Sequence, residues 1–245
     1  MYTLRDQGSL EEQFAMAQRA GFHAVELVGT HDVDSYELNR LLNEYDLDAM
    51  AAHVQLEALR NDLQTVITFN KAVDNDVIIM PWLPAEERPD SARGWRELGQ
   101  ELDQIGQTLR RNGMTLAYHN HDFEMKKFHG KTALEWIISA SHARNLKIEL
   151  DAAWVSRGGQ DPAQFIKKLR HRLFSIHVKD NSGIGTHDDE RNFTVVGDGI
   201  MAWDEVLPAA ERAHARWFVV EHDQPADAEA IITKANQYLK DHLRR

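Results

Sequence analysis

The chain has no cysteine among its 245 residues. That excludes disulfides, cysteine-ligated zinc, iron–sulfur clusters and thiol nucleophiles. No apolar run approaches the roughly 18 residues needed to cross a bilayer. The opening MYTLRDQGSLEE lacks the apolar core of a signal peptide. A cytoplasmic protein with no membrane partner is therefore expected. Basic residues are in the minority, with 28 Lys+Arg against 39 Asp+Glu and a net charge of −11. Such a balance gives no electrostatic footprint for nucleic acid, and none is expected as a partner. Proline-, glycine- or serine-rich linkers and low-complexity tracts are also missing, so residues 1–245 read as one domain. What the chain does have is histidine. Thirteen of them in a cysteine-free sequence point towards chemistry.

Short apolar stretches alternate with longer amphipathic ones. AVELVG (24–29), DAMAAHV (48–54), VIIMPWL (77–83), TLAYHNH (115–121) and LKIELDAAWV (146–155) read as strands, as do LFSIHVKD (173–180) and WFVVEHD (217–223). Helices between them carry recognisable ends. Ser9 with Glu12 and Asp34 with Glu37 are capping-box patterns, and Asp161-Pro162 sets a cap before a first-turn proline. With the opening YTLR, the strands number eight, each followed by a helical segment. Alternation of this kind implies an α/β fold with a parallel sheet, and eight units in about 250 residues fit a single-domain (β/α)8 TIM barrel. A doubly wound sheet is the alternative, but no glycine-rich phosphate turn follows the first strands.

In such a barrel the chemistry sits at the carboxyl ends of the strands. Period-two reading puts Asp151 with Glu149, His177 with Lys179, His119 with His121, and Glu221 with Asp223 on common sides. Glu26 and His53 stand at matching ends. Each alone has a structural reading, as a hydrogen-bonded core histidine, a helix cap or an internal ion pair. Their collection at one end of most strands points to a site, because charged groups in apolar strands are costly unless paired or metal-bound. Carboxylates and imidazoles without thiolates suit one divalent metal ion such as Mn, Co, Mg or Zn, with oxygen-rich sites favouring Mn or Mg. Gly197-Asp198-Gly199 reads as a backbone turn, not a nucleotide loop. The acidic stretch 187–191 is either a solvated loop or a lid.

YHNHDFE (118–124), IELDAAWV (148–155), SIHVKD (175–180) and VVEHD (219–223), in this order on successive strands, resemble the xylose-isomerase-like barrel family. That family includes sugar phosphate isomerases/epimerases, inosose dehydratases and tagatose epimerases. YTLRD, GFHAVEL (21–27) and VVGDGIMAWDEVLPA (195–209) extend the resemblance over nearly the whole chain. The resemblance implies a metal held by Glu, Asp, His and Glu. The last three fall on Asp151, His177 and Glu221. The first usually stands in a Glu-Asn-His pattern, here His119-Asn120-His121, so His119 replaces a carboxylate unless Glu124 curls back. Trp154 stands where many relatives carry histidine.

The expected function is a divalent-metal-dependent sugar isomerase or epimerase working through an enediolate. Glu221, His119, His53 and Lys179 are its candidate catalytic groups. His119, Asp151, His177 and Glu221 are the candidate metal ligands. Glu26, His53, Trp82, His121, Trp154 and Lys179 are the candidate contacts for a small sugar or keto-sugar, and assembly into a homo-oligomer is compatible with this reading. A dehydratase or a lyase cleaving 3-keto-glycosides would use the same first proton abstraction. An apurinic-site endonuclease and a non-catalytic sugar-binding protein are the rivals from other classes.

Overall fold

In the computed structural model, which describes residues 1–169 and 171–243, seven apolar stretches form one parallel sheet. They are β1 (Ala24–Val28), β2 (Asp48–His53), β3 (Val77–Met80), β4 (Thr115–His119), β5 (Leu146–Asp151), β6 (Leu173–Val178) and β7 (Trp217–Val220). Each pairs with the next in chain order, which rejects a doubly wound sheet with its reversal of strand order. β3 and β6 are buried along their whole length. That is the state of parallel strands covered by helices, and it is why β3 reads as an unbroken apolar run and β6 as an apolar one broken only by Ser175 and His177. The architecture is a nearly closed (β/α)8 barrel. The terminal Arg244-Arg245 dipeptide, to which the sequence gives no functional reading, lies outside the described residues.

Ten helices are described: α1 (Leu10–Arg19), α2 (Ser35–Glu44), α3 (Leu56–Asn61), α4 (Leu63–Ala72), α5 (Ala92–Arg111), α6 (Ala133–Ser139), α7 (Ala152–Arg157), α8 (Pro162–Leu169), α9 (Trp203–Arg212) and α10 (Ala228–His242). Their starts follow the expected caps. Ser9 and Glu12 close a full capping box, Asp34 accepts from the Glu37 amide, and Asp161 accepts from the Gln164 amide. On α5, a Cβ at Gly99 would lie 2.5 Å from the Ile137 carbonyl, and one at Gly106 would lie 1.9 Å from that of Asn145. Glycine there lets the longest helix settle against α6 and the start of β5.

The strands expected over 77–83, 115–121 and 217–223 stop at Met80, His119 and Val220, and three further strand expectations are corrected with a clear cause. YTLR is not a strand: Tyr2–Leu4 form a 3-10 turn between β1 and β7. Too few residues stand there to bond both edges, and the closure rests on single contacts. The Met1 amino group donates to the Glu26 carbonyl at 2.7 Å, and the His222 amide to Thr3 Oγ1 at 3.0 Å. β7 is consequently only half-buried, and a cavity of about 400 Å³ occupies the seam. The strand expected over 146–155 stops at Asp151, whose Oδ1 accepts from the Trp154 amide and starts α7. The one expected over 173–180 stops at Val178; Asp180–Asn181 then pair antiparallel with Phe193–Thr194.

Candidate metal centre at the carboxyl ends of the strands

Strand register brings the candidates together. His119 at the end of β4 stands opposite Glu149 on β5, and Asp151 stands opposite His177 on β6. His53 ends β2, and Glu221 follows β7. All of these side chains are buried. They form two levels.

The deeper level is a carboxylate–imidazole network. Glu149 Oε1 lies 3.1 Å from His119 Nδ1 and 2.9 Å from His177 Nε2, while its Oε2 accepts from Ser175 Oγ at 2.6 Å. Glu26 Oε1 lies 2.7 Å from His53 Nε2 and 3.1 Å from His177 Nε2. One nitrogen of His119 and one of His177 are thus taken by carboxylates below. Their other nitrogens face upward. His119 Nε2 is 3.7 Å from Asp151 Oδ2, and His177 Nδ1 is 3.9 Å from that oxygen and 3.2 Å from Glu221 Oε2.

Two groupings are close enough to hold an ion: His53, His119, Glu149 and His177, and separately Glu26, His177 and Glu221. Buried atoms without a hydrogen-bond partner occur at both levels, Glu26 Oε2 and His53 Nε2 among them. A metal-binding imidazole characteristically gives its second N–H to a carboxylate, and Glu149 takes that role for both His119 and His177. Among the described residues, Asp151 Oδ2 and His177 Nδ1 are buried yet make no hydrogen bond of good geometry, charged neighbours notwithstanding. Asp151 is in neither grouping; its Oδ2 lies 3.7 Å from His119 Nε2 and 3.9 Å from His177 Nδ1. Imidazoles and carboxylates without thiolates suit a divalent ion.

The Lys179 ammonium lies beside the cluster, 2.9 Å from Asp151 Oδ2 and 2.6 Å from Glu221 Oε1, and it also bonds Asp223. Burial alone would lower its pKa, but the three carboxylates outweigh it and hold the amine charged. Burial would likewise raise Glu221, yet Lys179 and His177 keep it well below the usual carboxylate range. His177 is raised well above an ordinary imidazole despite burial, because Glu149, Glu221 and Glu26 surround it. His53, facing Glu26 and Glu149, is pushed up to about 9 against its own desolvation. His121 goes the other way: burial, then the neighbouring His119 and Lys179, push it well below 6.5, so it is neutral.

A cavity of about 1290 Å³ opens above the cluster. His53, Trp82, His119, His121, Trp154 and Glu221 line it. Asp151, His177, Lys179 and Glu26 belong to the cluster but are not on the cavity wall. Trp154 is only 7% exposed, edge-on to Phe193, with the cations of Arg157, Lys179 and Arg191 5.1, 5.6 and 5.7 Å from its ring. Glu124 does not curl back. Its carboxyl accepts from the Tyr118 hydroxyl and the His121 amide, both at 2.7 Å, and burial pushes it up to about 7.

Glu149 and Asp223 are the residues that sequence reasoning leaves outside the site. Both share the inward side with a chosen neighbour, and that parity is the signal that finds them. Arg191, from the acidic loop, reaches Asp223 Oδ2 at 3.2 Å, which ties this loop to the site. Asp180 pairs with none of the site's cations: it accepts the amides of Gly197, Gly199 and Met201 and fixes the turn after β6.

Barrel and cluster together define a class, a (β/α)8 protein with a candidate metal centre at the carboxyl ends of its strands. The chain belongs to the xylose isomerase-like TIM barrel family, whose model matches residues 14–242. Among curated proteins, it is 27% identical over 164 residues to inosose dehydratase 2 of Bacillus cereus, covering 60% of this chain and 54% of that one. The match thus spans about half the length of that relative. Among solved structures, it resembles a sugar phosphate isomerase/epimerase from Parabacteroides distasonis ATCC 8503, with a TM-score of 0.83, 17% identity, and coverage of 98% and 91% of the two chains. It also resembles the IolI protein solved with a bound zinc atom, with a TM-score of 0.77, 15% identity, and coverage of 100% and 98%. At these identities the likeness to solved structures is one of fold. Among the described residues, no helix is long and apolar enough to cross a membrane.

Proposed function

We propose that the protein is a divalent-metal-dependent enzyme that isomerises or epimerises a keto-sugar by moving the proton beside the carbonyl. The observation that carries this reading is the buried imidazole–carboxylate cluster beneath a large cavity, from which we take His119, Asp151, His177 and Glu221 as the ligand set. These four residues would hold the ion, and Mn, Co, Mg and Zn are the candidates. When bound, the ion would polarise the substrate carbonyl and offset the negative charge that develops on it.

In this reading Glu221 accepts the proton. It lines the cavity, it is ionised, and Lys179 and His177 fix its carboxylate in place. Lys179 acts from beside the cluster as a positioning residue, because it spends its ammonium on Asp151, Glu221 and Asp223. Returning the proton falls to an imidazole on the cavity wall. His53 is protonated at neutral pH and can donate, whereas neutral His121 can hold a substrate hydroxyl. Glu26 supports His53 from beneath.

A second reading has its own observation. His119 stands in place of a glutamate, and the carboxylate on the cavity wall beside Glu221 is Asp223, which shares Lys179 with it; two carboxylates on one side suit elimination better than proton exchange between two faces. The inosose dehydratases among its relatives agree with that reading.

The test is incubation of the metal-loaded protein with a panel of ketoses and keto-glycosides in D2O, followed by product analysis. Metal-dependent deuterium incorporation beside the carbonyl, abolished by Glu221→Gln, is expected. Isomer or epimer as product supports the first reading, and an unsaturated or cleaved product supports the second. Neither exchange nor product across the panel would overturn both.

A further inference from the structure

The cavity is larger than a monosaccharide needs, and its walls are of two kinds. Pockets of about 300–1,000 Å³ already bury most of a drug-sized molecule, and this one measures about 1290 Å³. Its floor is the polar cluster of imidazoles and carboxylates. Away from that floor its lining includes an apolar stretch of Val54, Ala58, Val66, Pro81, Trp82 and Phe123, of which only the indole N–H of Trp82 can hydrogen-bond a sugar hydroxyl, beside polar Gln55, Thr65 and Asn70. Trp82 is 41% exposed, unusually open for a large apolar residue in this chain.

The aromatic side of the cavity is held rigid. The Arg88 guanidinium lies 3.7 Å above the Phe123 ring and 5.6 Å from that of Trp82, and its Nε donates to the Leu83 carbonyl at 3.0 Å. His121 stacks parallel to Phe123 on the side towards the metal cluster, at 5.8 Å and 6°. A continuous line of rings therefore runs from His119 through His121 and Phe123 to the Arg88–Trp82 pair.

Charge narrows the occupant. Of the cavity's cations, Arg191 is bonded to Asp223, His53 faces Glu26, and Arg88 lies over aromatic faces. The wall also carries Asp32, Asp62, Asp122 and Asp223. A phosphate or carboxylate would meet more negative than positive charge there, whereas a neutral planar ring would meet aromatic surface already in place.

We infer that the substrate is a neutral keto-sugar bearing an aryl substituent, and that Trp82 with Phe123 forms the subsite for that substituent. This rests on the keto-sugar reading of the metal cluster. The test is calorimetric titration of manganese-loaded protein with methyl 3-keto-glucoside, 4-nitrophenyl 3-keto-glucoside and fructose 6-phosphate. The aryl compound is expected to bind at least tenfold tighter than the methyl compound, and the ratio is expected to collapse towards one in Trp82→Ala. Far-UV circular dichroism and thermal melting check that the variant is folded, and the wild-type ratio stands without it.

Equal binding of the two glycosides would remove the aryl subsite while leaving the keto-sugar reading in place. A preference that survives Trp82→Ala, or tighter binding of fructose 6-phosphate, would also overturn the inference. If none of the three binds, the keto-sugar reading fails and the inference fails with it.

Discussion

Glu149 offers the sharpest test of how the centre is built, because it touches both imidazoles without being a proposed ligand. It is fully buried, and it accepts from Ser175 and meets His119 Nδ1 and His177 Nε2. A carboxylate in this position fixes the ring orientation and directs the opposite nitrogen at the ion. Loss of such a partner typically costs 10- to 100-fold in metal affinity, about 1.4 to 2.8 kcal/mol. Glu149→Gln retains the shape but leaves one carbonyl oxygen to serve two imidazoles and the Ser175 hydroxyl. We expect a loss near the lower bound for that variant. Glu149→Ala, which serves neither imidazole, is expected near the upper bound. Calorimetric titration with zinc and manganese gives the affinities, and the visible spectrum of the cobalt form reports the ligand set independently of affinity. Unchanged affinity and an unchanged cobalt spectrum in both folded variants would refute the reasoning.

Three further outcomes follow from the structure. Lys179→Met leaves Asp151, Glu221 and Asp223 without their ammonium. The metal-free variant should lose about 3–5 kcal/mol and gain more melting temperature from added manganese than the wild type does; equal metal-free melting temperatures would contradict this. His31 Nε2 accepts the Val28 amide, and burial pushes its pKa down to about 4 from 6.5. Its folded pKa is depressed, so the neutral ring's stability is present above pH 6.5 and is lost as pH falls to 4, about 3 kcal/mol in all. His31→Asn should show a flatter melting temperature over that window, and parallel profiles would count against the assignment. Gly106→Ala sets a methyl 1.9 Å from the Asn145 carbonyl, so a loss of about 1–3 kcal/mol is expected by chemical denaturation.

The sequence shows the barrel most clearly where strands are buried on both faces. β3 is apolar without interruption, β6 is interrupted only by Ser175 and the site residue His177, and the strands pair in chain order. It is misleading at strand ends. Asp151 is at once a strand residue, the cap of α7 and a proposed ligand, and apolar content alone carries the strand on into AAWV. The 3-10 turn at Tyr2–Leu4 escapes detection because YTLR has strand-like composition, and composition does not reveal that both neighbouring edges stay unpaired.

For the site, period-two parity brings out the cluster but not its levels. Glu26, Glu149 and Asp151 look alike in sequence. Only the register shifts within the β1–β2 and β5–β6 pairs and the three-dimensional stagger put Glu26 and Glu149 beneath the proposed ligands and Asp151 among them. Lys179 illustrates the same limit. Parity aims it inward, but the sequence cannot say that Asp223, two residues beyond Glu221, helps Glu221 and Asp151 hold its ammonium.

The central claim is that this cluster of imidazoles and carboxylates holds one divalent ion. Inductively coupled plasma mass spectrometry on untagged protein, beside Asp151→Ala, tests it most directly. The account predicts about one divalent metal per chain in the wild type, lost in the variant. No metal after reconstitution with Mn, Co, Mg and Zn, or equal content in the variant, would contradict it.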